Sequence, residues 1–330
     1  MAAGSQKAVA AAIIGNGTLT IAKLIAFLMT GSAAMMSEGL HSFADTLNQL
    51  LLLVGIKRST RVADPRFPFG YGAERAVWAL MSAVGIFFLG CGVTVYHGVH
   101  SLLHPSHLEG LGVAIGVLLV SFVVEFAVLV VAVRAVRRDA KGRPFLRYLW
   151  RESDPTAAAV VAEDTAACLG VLIALAGIGL SQWTGNPQWD ALASIAIGLL
   201  LGAIAIWLIM RSGTLLVGPS IPADKRRRIR EIVAAHPAVE KIANLRTRVM
   251  DTETFRVAAD IEFAGDALAA SLEDELEAAY PTIHDYEEFR AFAARYADLV
   301  VEQLGDEVDT IETAIRKEFP RAKYLDIETE

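Results

Sequence analysis

Four ionisable side chains in two otherwise apolar segments have types and spacing that suit metal binding. The segment SEGLHSFADTLNQ carries His41 and Asp45 four residues apart, with Asn48 a further turn along the same helix face. The segment DPTAAAVVAEDTAACLG carries the adjacent acids Glu163 and Asp164. Imidazole and carboxylate offered from one face supply half of a four-coordinate site for a divalent metal. Two acids without a basic neighbour in a bilayer need a cation or protons, so the two segments together predict a divalent-metal site.

Each pair also has a purely structural interpretation. His41 and Asp45 could join neighbouring helices through polar contacts, with Glu38 on nearly the same helix face. Glu163 and Asp164 could be protonated carboxylic acids that bond to an adjacent helix. Ionisable groups inside a membrane are costly and by default mark a pathway or a binding site, so metal binding is the leading hypothesis.

Two further ionisable residues lie in apolar segments. Lys23 is predicted to form an ion pair with a buried acid such as Glu38, because an unpaired ammonium in lipid is costly. For Glu125 two interpretations stay open: a proton relay, or a bond to a neighbouring helix.

The composition indicates what must position these residues. Of 330 residues, 54% are hydrophobic and 20% are charged, and the mean hydropathy is +0.43. A soluble domain averages about 25% charged residues, so a membrane protein is the better expectation. Residues 1–213 carry a net charge of +3 and residues 214–330 a net charge of −10, which predicts a transmembrane domain followed by an aqueous domain. The overall charge of −7 argues against a nucleic-acid partner.

Six apolar segments are each long enough to cross roughly 30 Å of hydrocarbon as a helix. They cover residues 8–30, 33–56, 76–103, 110–133, 156–181 and 188–210. The connections after the first, third and fifth segments contain no Lys or Arg, whereas those after the second and fourth are rich in both. The positive-inside rule therefore places the basic loops and both termini in the cytoplasm, and we expect a multi-pass protein of the cell (inner) membrane.

Four features together resemble the cation diffusion facilitator family: the TGSAAMMSEGLHS entry to the second span, its HxxxD pair, the DPRFPFGYGAER loop and the acid in the fifth span. SEGLHSFADTLNQ and EDTAA are most similar to the branch that contains the animal mitochondrial zinc exporter. The resemblance implies a homodimer that exports a divalent metal, usually zinc, in exchange for protons.

The resemblance carries over to individual residues. His41 and Asp45 match the family's pair in the second span, and Asp164 matches its acid in the fifth. The family's usual histidine, four residues before that acid, is Val160 here, so Glu163 is the nearest replacement as fourth ligand. The side chains of residues 163 and 164 point about 100° apart on a helix. Both can therefore bind the same metal only if the Glu side chain bends inward or the helix rotates. One nitrogen with several oxygens also suits manganese or ferrous iron.

A second departure lies in the loop after the second span, where family members often bind another metal through histidines. Phe67 and Tyr71 stand at those positions here, which leaves Asp64 without a partner ligand. We therefore predict no metal site in this loop.

The last third of the chain predicts a small α+β domain. Its order of helix, strand, strand, helix and strand resembles the ferredoxin-like cytoplasmic domain of the family, which implies dimerisation through this domain. An acidic insertion at about residues 268–304 is predicted to be a helical extension. Acids scattered along a helix are usually solvated, so we do not expect this insertion to bind a regulatory metal.

The sequence thus predicts an α-helical membrane protein with six transmembrane helices and a cytoplasmic ferredoxin-like domain. Its predicted function is secondary transport: export of a divalent cation, zinc first and manganese, iron or cobalt as alternatives, in exchange for protons. The predicted metal ligands are His41, Asp45, Asp164 and Glu163. No GxxxxGK[ST] motif occurs, and neither enzymatic chemistry nor a resident cofactor is expected. The rival hypothesis is a membrane scaffold or metal sensor that does not transport.

Overall fold

A computed structural model describes residues 3–105, 109–140, 142, 144–151, 155–251 and 254–330. The chain divides into two compact units, Met1–Val217 and Gly218–Glu330. The first unit is helical, whereas the second contains a small sheet. The predicted fold class, a helical membrane part followed by a small α+β domain, is confirmed.

The long helices of the first unit lie at the predicted spans. They are α1 (Ala3–Thr30), α2 (Ala33–Ser59), α3 (Glu74–Gly85) continuing through a π-helical segment (Ile86–Val93) into α4 (Thr94–Leu103), α5 (Leu111–Asp139), α7 (Pro155–Thr184) and α8 (Gln188–Val217). A short helix that the sequence did not predict, α6 (Phe145–Arg151), lies in the arginine-rich connection between α5 and α7. The π-helical segment is the other unpredicted feature, because hydrophobic spacing does not distinguish it from an α-helix.

Five described helical segments are long and apolar enough to cross a membrane: those that begin at Ile13, Glu74, Leu111, Ala159 and Gln188. Helix α2 has 27 residues but is too polar to meet the same criterion. It packs against α1, α3, α7 and α8, and five of its polar residues are buried: Ser37, Glu38, His41, Ser42 and Asn48. This helix therefore carries His41 and Asp45 into the bundle.

The start of α2 is fixed by its connections to α1 and α8. Gly31 adopts φ 67° after the end of α1, and its amide donates to Phe27 O at 2.8 Å, as at many helix C-termini. Ser32 caps α2 by accepting from Met35 N at 3.1 Å. Asp190 of α8 in turn accepts from Ser32 Oγ at 2.6 Å and from Ala33 N at 2.5 Å. A buried carboxylate thus satisfies the free amides at the N-terminus of α2.

Helix α7 approaches its neighbours closely because it presents small residues. Ala166 and Ala167 are buried, and Ala166 belongs to the core that α7 shares with α1, α2, α5 and α8. At Gly170 the space that a Cβ would fill is already occupied by Glu38 Oε1 of α2. Small residues let membrane helices pack at short distance, and here they bring α7 against the polar face of α2.

The second unit is a three-stranded sheet with helices packed on it. Strand β2 (Phe255–Phe263) lies between β1 (Val239–Val249), to which it is antiparallel, and β3 (Ala322–Thr329), to which it is parallel. Alternate residues of β2 are buried against α9 (Ala223–Ala234) and the C-terminal half of α12 (Tyr286–Glu318). The segment predicted as a helical insertion is folded as α10 (Gly265–Ser271), α11 (Glu273–Ala279), a 3₁₀ turn at Tyr280–Thr282 and the first part of α12.

Candidate metal centre

His41 and Asp45 lie side by side on α2. His41 Nε2 and Asp45 Oδ2 are 3.3 Å apart, and the two side chains are 4% and 18% exposed. Both ring nitrogens of His41 are buried, and neither makes a hydrogen bond within the described part of the chain. Buried polar atoms are normally satisfied, so a ring with two unsatisfied nitrogens is a candidate for a ligand that the chain does not itself supply.

The two acids of α7 have different surroundings. Glu163 Oε2 accepts a 2.7 Å hydrogen bond from Asn48 Nδ2 of α2. Asn48 Oδ1 in turn accepts from Ser82 Oγ of α3 at 2.5 Å. Asp164 Oδ2 is buried and has no hydrogen-bond partner among the described residues. Asp164 is therefore the acid with an unsatisfied oxygen, whereas Glu163 is held by an amide.

The four predicted ligands lie on two helices that pack directly against each other. Asp45 of α2 is close enough to both Asp164 and Glu163 for their charges to interact. They are not drawn into one cluster, however, because no three His, Cys, Asp or Glu side chains of the described residues are arranged to hold a metal ion. In this conformation the structure pairs His41 with Asp45 and keeps the acids of α7 separate.

A second buried polar cluster lies beside these residues. Lys23 Nζ of α1 is 2.8 Å from Glu38 Oε2, which confirms the predicted ion pair. It also donates to Glu125 Oε1 of α5 at 2.8 Å and to Ser42 Oγ of α2 at 2.9 Å. Glu125 therefore bonds to a neighbouring helix, which was one of its two open interpretations. Its convergence on the same ammonium as Glu38 was not predictable, because sequence spacing does not say which faces of α1, α2 and α5 meet.

The loop after α2 uses Asp64 to hold a turn. Asp64 Oδ1 accepts from the amides of Arg66 at 2.9 Å and Phe67 at 2.8 Å, and Oδ2 accepts from the Tyr71 hydroxyl at 2.7 Å. The Tyr71 hydroxyl, followed by the Phe67 amide, lowers the pKa of the Asp64 carboxyl. The same hydrogen bond raises the pKa of the Tyr71 phenol. Asp64 thus stabilises the turn through three hydrogen bonds.

Sequence reasoning missed one residue of the site, Ser82. It supports Asn48 from α3, and its side chain is buried. The available signal was a single hydroxyl in the apolar run AVWALMSAVGIFFLG. Serine is common in membrane helices, so this signal does not indicate by itself which partner the hydroxyl meets.

The donor chemistry fits a borderline divalent metal carried as cargo. The candidate ligands offer one imidazole and up to three carboxylates, and the chain has only two cysteines, Cys91 and Cys168. Neither belongs to a thiolate-rich arrangement of the kind that selects Cu(I) or iron–sulfur clusters. Nitrogen and oxygen donors suit zinc, manganese and ferrous iron.

Comparison with known proteins places this site in a recognised domain. The family described as the cation efflux transmembrane domain matches residues 9–217, which include every candidate ligand. The chain is 38% identical over 98% of its length to the mitochondrial proton-coupled zinc antiporter SLC30A9 of Xenopus laevis. It is 34% identical over 98% of its length to metal tolerance protein C4 of Arabidopsis thaliana, of which it covers 73%. It is also 28% identical over 70% of its length to the cation-efflux pump FieF of Shewanella oneidensis, of which it covers 73%.

The extent of these matches differs between relatives. The chain spans 59% of the length of the Xenopus antiporter. The match nevertheless runs through both units of this chain, because it covers 98% of the 330 residues.

Proposed function

Since the chain belongs to the cation efflux family, we propose that it is a secondary transporter that moves a divalent metal across a membrane in exchange for protons. Zinc is the leading substrate. One observation supports the proposal most strongly. Three buried atoms that could bind a metal make no hydrogen bond to the described residues, and they lie on two adjacent helices: both ring nitrogens of His41 on α2 and Oδ2 of Asp164 on α7. Asp45, beside His41, completes the core of the site.

In this proposal His41, Asp45 and Asp164 are ligands, and Glu163 is the fourth. Glu163 uses one oxygen to accept from Asn48 and offers the other to the metal. The metal then binds across α2 and α7, which must move toward each other to enclose it. A rocking motion that separates the two helices weakens the site and releases the ion on the other side, as in alternating access.

Proton exchange follows from the chemistry of these ligands. A carboxylate or imidazole must lose its proton before it binds a metal, so metal arrival expels protons and their return accompanies metal release. Acids within a membrane carry either a proton or a cation because an isolated charge there is costly. Opposed fluxes of metal and protons therefore result from competition for the same oxygens and nitrogens.

The proposal for zinc draws on the relatives and on the donor set. The similar protein from Xenopus is named a zinc antiporter, and imidazole and carboxylate are both zinc ligands in proteins. The missing second imidazole at Val160 makes manganese, ferrous iron and cobalt the competing substrates.

We further propose an orientation, a membrane and an assembly. The basic connections after α2 and α5 face the cytoplasm, with both termini on that side, in the cell (inner) membrane. The chain forms a homodimer through residues 218–330, the transmembrane helices contact lipid, and the protein is neither an enzyme nor the carrier of a resident cofactor.

Uptake by proteoliposomes tests the function. The purified chain is reconstituted, a pH gradient is imposed, and the entry of zinc, manganese, iron and cobalt is measured with and without the gradient. We expect zinc uptake that depends on the gradient and changes direction when the gradient is reversed. Binding of zinc without flux of any of the four metals would contradict transport and favour a metal sensor or scaffold.

A further inference from the structure

The cluster around Lys23 links three helices through one ammonium group. Its three hydrogen bonds go to Glu38 and Ser42 of α2 and to Glu125 of α5. The Lys23 and Glu38 side chains are fully buried, and that of Glu125 is 10% exposed. An ammonium has three donors, so Lys23 has no further hydrogen bond to offer.

The charges of this cluster do not balance. One ammonium faces two carboxylates, so with both acids ionised the cluster carries one net negative charge. Each acid gives Lys23 a single oxygen, Oε2 from Glu38 and Oε1 from Glu125. The other oxygens, Glu38 Oε1 and Glu125 Oε2, are buried and have no hydrogen-bond partner in the part of the chain that is described. An unpaired buried charge is costly, and one added proton removes it.

The cluster lies within electrostatic reach of the metal centre. On α2, Glu38 interacts with His41, and Glu125 of α5 interacts with Asp45. On α7, Glu125 also interacts with Asp164. Glu38 Oε1 lies directly against α7 because it occupies the space beside Gly170.

Besides His41, Asp45 and Asp164, the interactions include Cys168 of α7, a neutral thiol in ordinary conditions. Lys23, from α1, is the single permanent cation among the described groups that these interactions bring to the cluster. His41 of α2 adds positive charge only when its imidazole is itself protonated, and the other groups in these interactions are acids or a thiol. A proton or the transported metal must therefore provide the balance.

Resting on the proposed function, we propose that Glu38 and Glu125 share one proton beside the empty metal site and release it when the metal binds. With that proton the cluster is neutral: one ammonium, one carboxylate and one carboxylic acid. A divalent cation at the neighbouring site repels the proton, whose O–H bond breaks as it passes to water on the side from which the metal came. Lys23 keeps its charge throughout, and a proton from the opposite side restores the acid after the metal leaves.

This role differs from that of an ion pair that only holds helices together. A structural ion pair would contribute stability and leave the number of protons displaced by zinc unchanged. A shared proton adds about one to that number, on top of those displaced from the ligands themselves. Counting protons therefore separates the two roles.

The count is obtained by calorimetric titration of the purified full chain with zinc in buffers of different ionisation enthalpy. Glu125→Gln leaves Lys23 with Glu38 as a neutral ion pair, so we expect it to fold and bind zinc while releasing about one proton fewer per zinc. Ser121→Ala is the matched control because Ser121 is a buried polar residue one turn before Glu125 on α5. It should release as many protons as the unmodified chain.

An unchanged proton count in Glu125→Gln would overturn the proposal. If that variant does not fold, Glu38→Gln provides the same test, since either amide leaves one acid on Lys23. If the unmodified chain binds zinc and moves it against protons while both variants keep the full count, this inference alone is wrong. If the unmodified chain neither binds zinc nor releases protons, the proposed function fails, and the inference fails with it.

Discussion

Asn48 Nδ2 of α2 donates a 2.7 Å hydrogen bond to Glu163 Oε2 of α7, and Asn48 Oδ1 accepts from Ser82 of α3. This hydrogen bond connects Glu163, which has no counterpart in the family pattern, to the helix that carries His41 and Asp45. It also assigns different surroundings to two adjacent acids, because Asp164 Oδ2 has no such donor among the described residues.

Asn48→Ala should alter metal affinity without abolishing transport. The substitution frees Glu163 from its donor, and loss of a residue that orients a ligand typically costs about 10–100-fold in metal affinity. Zinc and manganese affinities of the purified variant check this, with Ser82→Ala as the comparison. Ser82→Ala leaves the bond between Asn48 and Glu163 in place and should have the smaller effect. An equal effect of the two variants would show that Asn48 acts through α3 and not through Glu163.

Asp45→Asn should abolish transport while leaving folding intact, because it removes the charge of a ligand and keeps the side-chain volume. The loss of zinc affinity should exceed the roughly 100-fold that follows from loss of a supporting residue. Thr46→Ala is the control: its hydroxyl bonds to Ser42 O of its own helix at 2.9 Å. Zinc flux at the unmodified rate in well-folded Asp45→Asn would remove Asp45 from the site.

Val160→His should shift metal preference toward zinc over manganese. Residue 160 lies one turn before Asp164 on α7, so an imidazole there shares the helix face of that acid. A second nitrogen ligand favours zinc. The ratio of zinc to manganese flux in reconstituted vesicles measures the shift, and an unchanged ratio would mean that this face of α7 does not point at the metal.

Tyr71→Phe should raise the pKa of Asp64 toward that of an ordinary carboxyl, because the largest cause of its lowered pKa is the Tyr71 hydroxyl. A lowered pKa means that the turn is stabilised above the ordinary range of a carboxyl and loses that stabilisation as the pH falls through the lowered pKa. The variant should therefore have less of this stabilisation to lose, and the loss should be complete at a higher pH. NMR titration of the Asp64 carboxyl in both proteins checks the shift, and identical titration curves would contradict it.

Much of the fold and part of the site were predictable from sequence, for physical reasons. Apolar runs of span length must form helices in lipid, which located the long helices on either side of the Gly31 turn. An ammonium in lipid needs an acid, which identified the pair of Lys23 and Glu38. Periodicity along one helix likewise placed His41 beside Asp45.

Most contacts between helices could not be predicted from the sequence. Which helix faces meet depends on three-dimensional packing, so neither the third arm of the Lys23 cluster, Glu125, nor the bond between Asn48 and Glu163 followed from spacing. The cap that Asp190 provides to α2 joins residues more than 150 positions apart, and nothing local in either segment indicates it.

The roles of the two acids of α7 are separated by recording the flux of zinc and the opposed flux of protons together in vesicles that contain Asp164→Asn or Glu163→Gln. Asp164 has a buried oxygen without a partner, and Glu163 is held by Asn48, so their roles should separate. We expect Asp164→Asn to eliminate both fluxes, whereas Glu163→Gln should retain both with altered zinc affinity. Active Asp164→Asn together with inactive Glu163→Gln would contradict this account and identify Glu163 as the ligand of the fifth span.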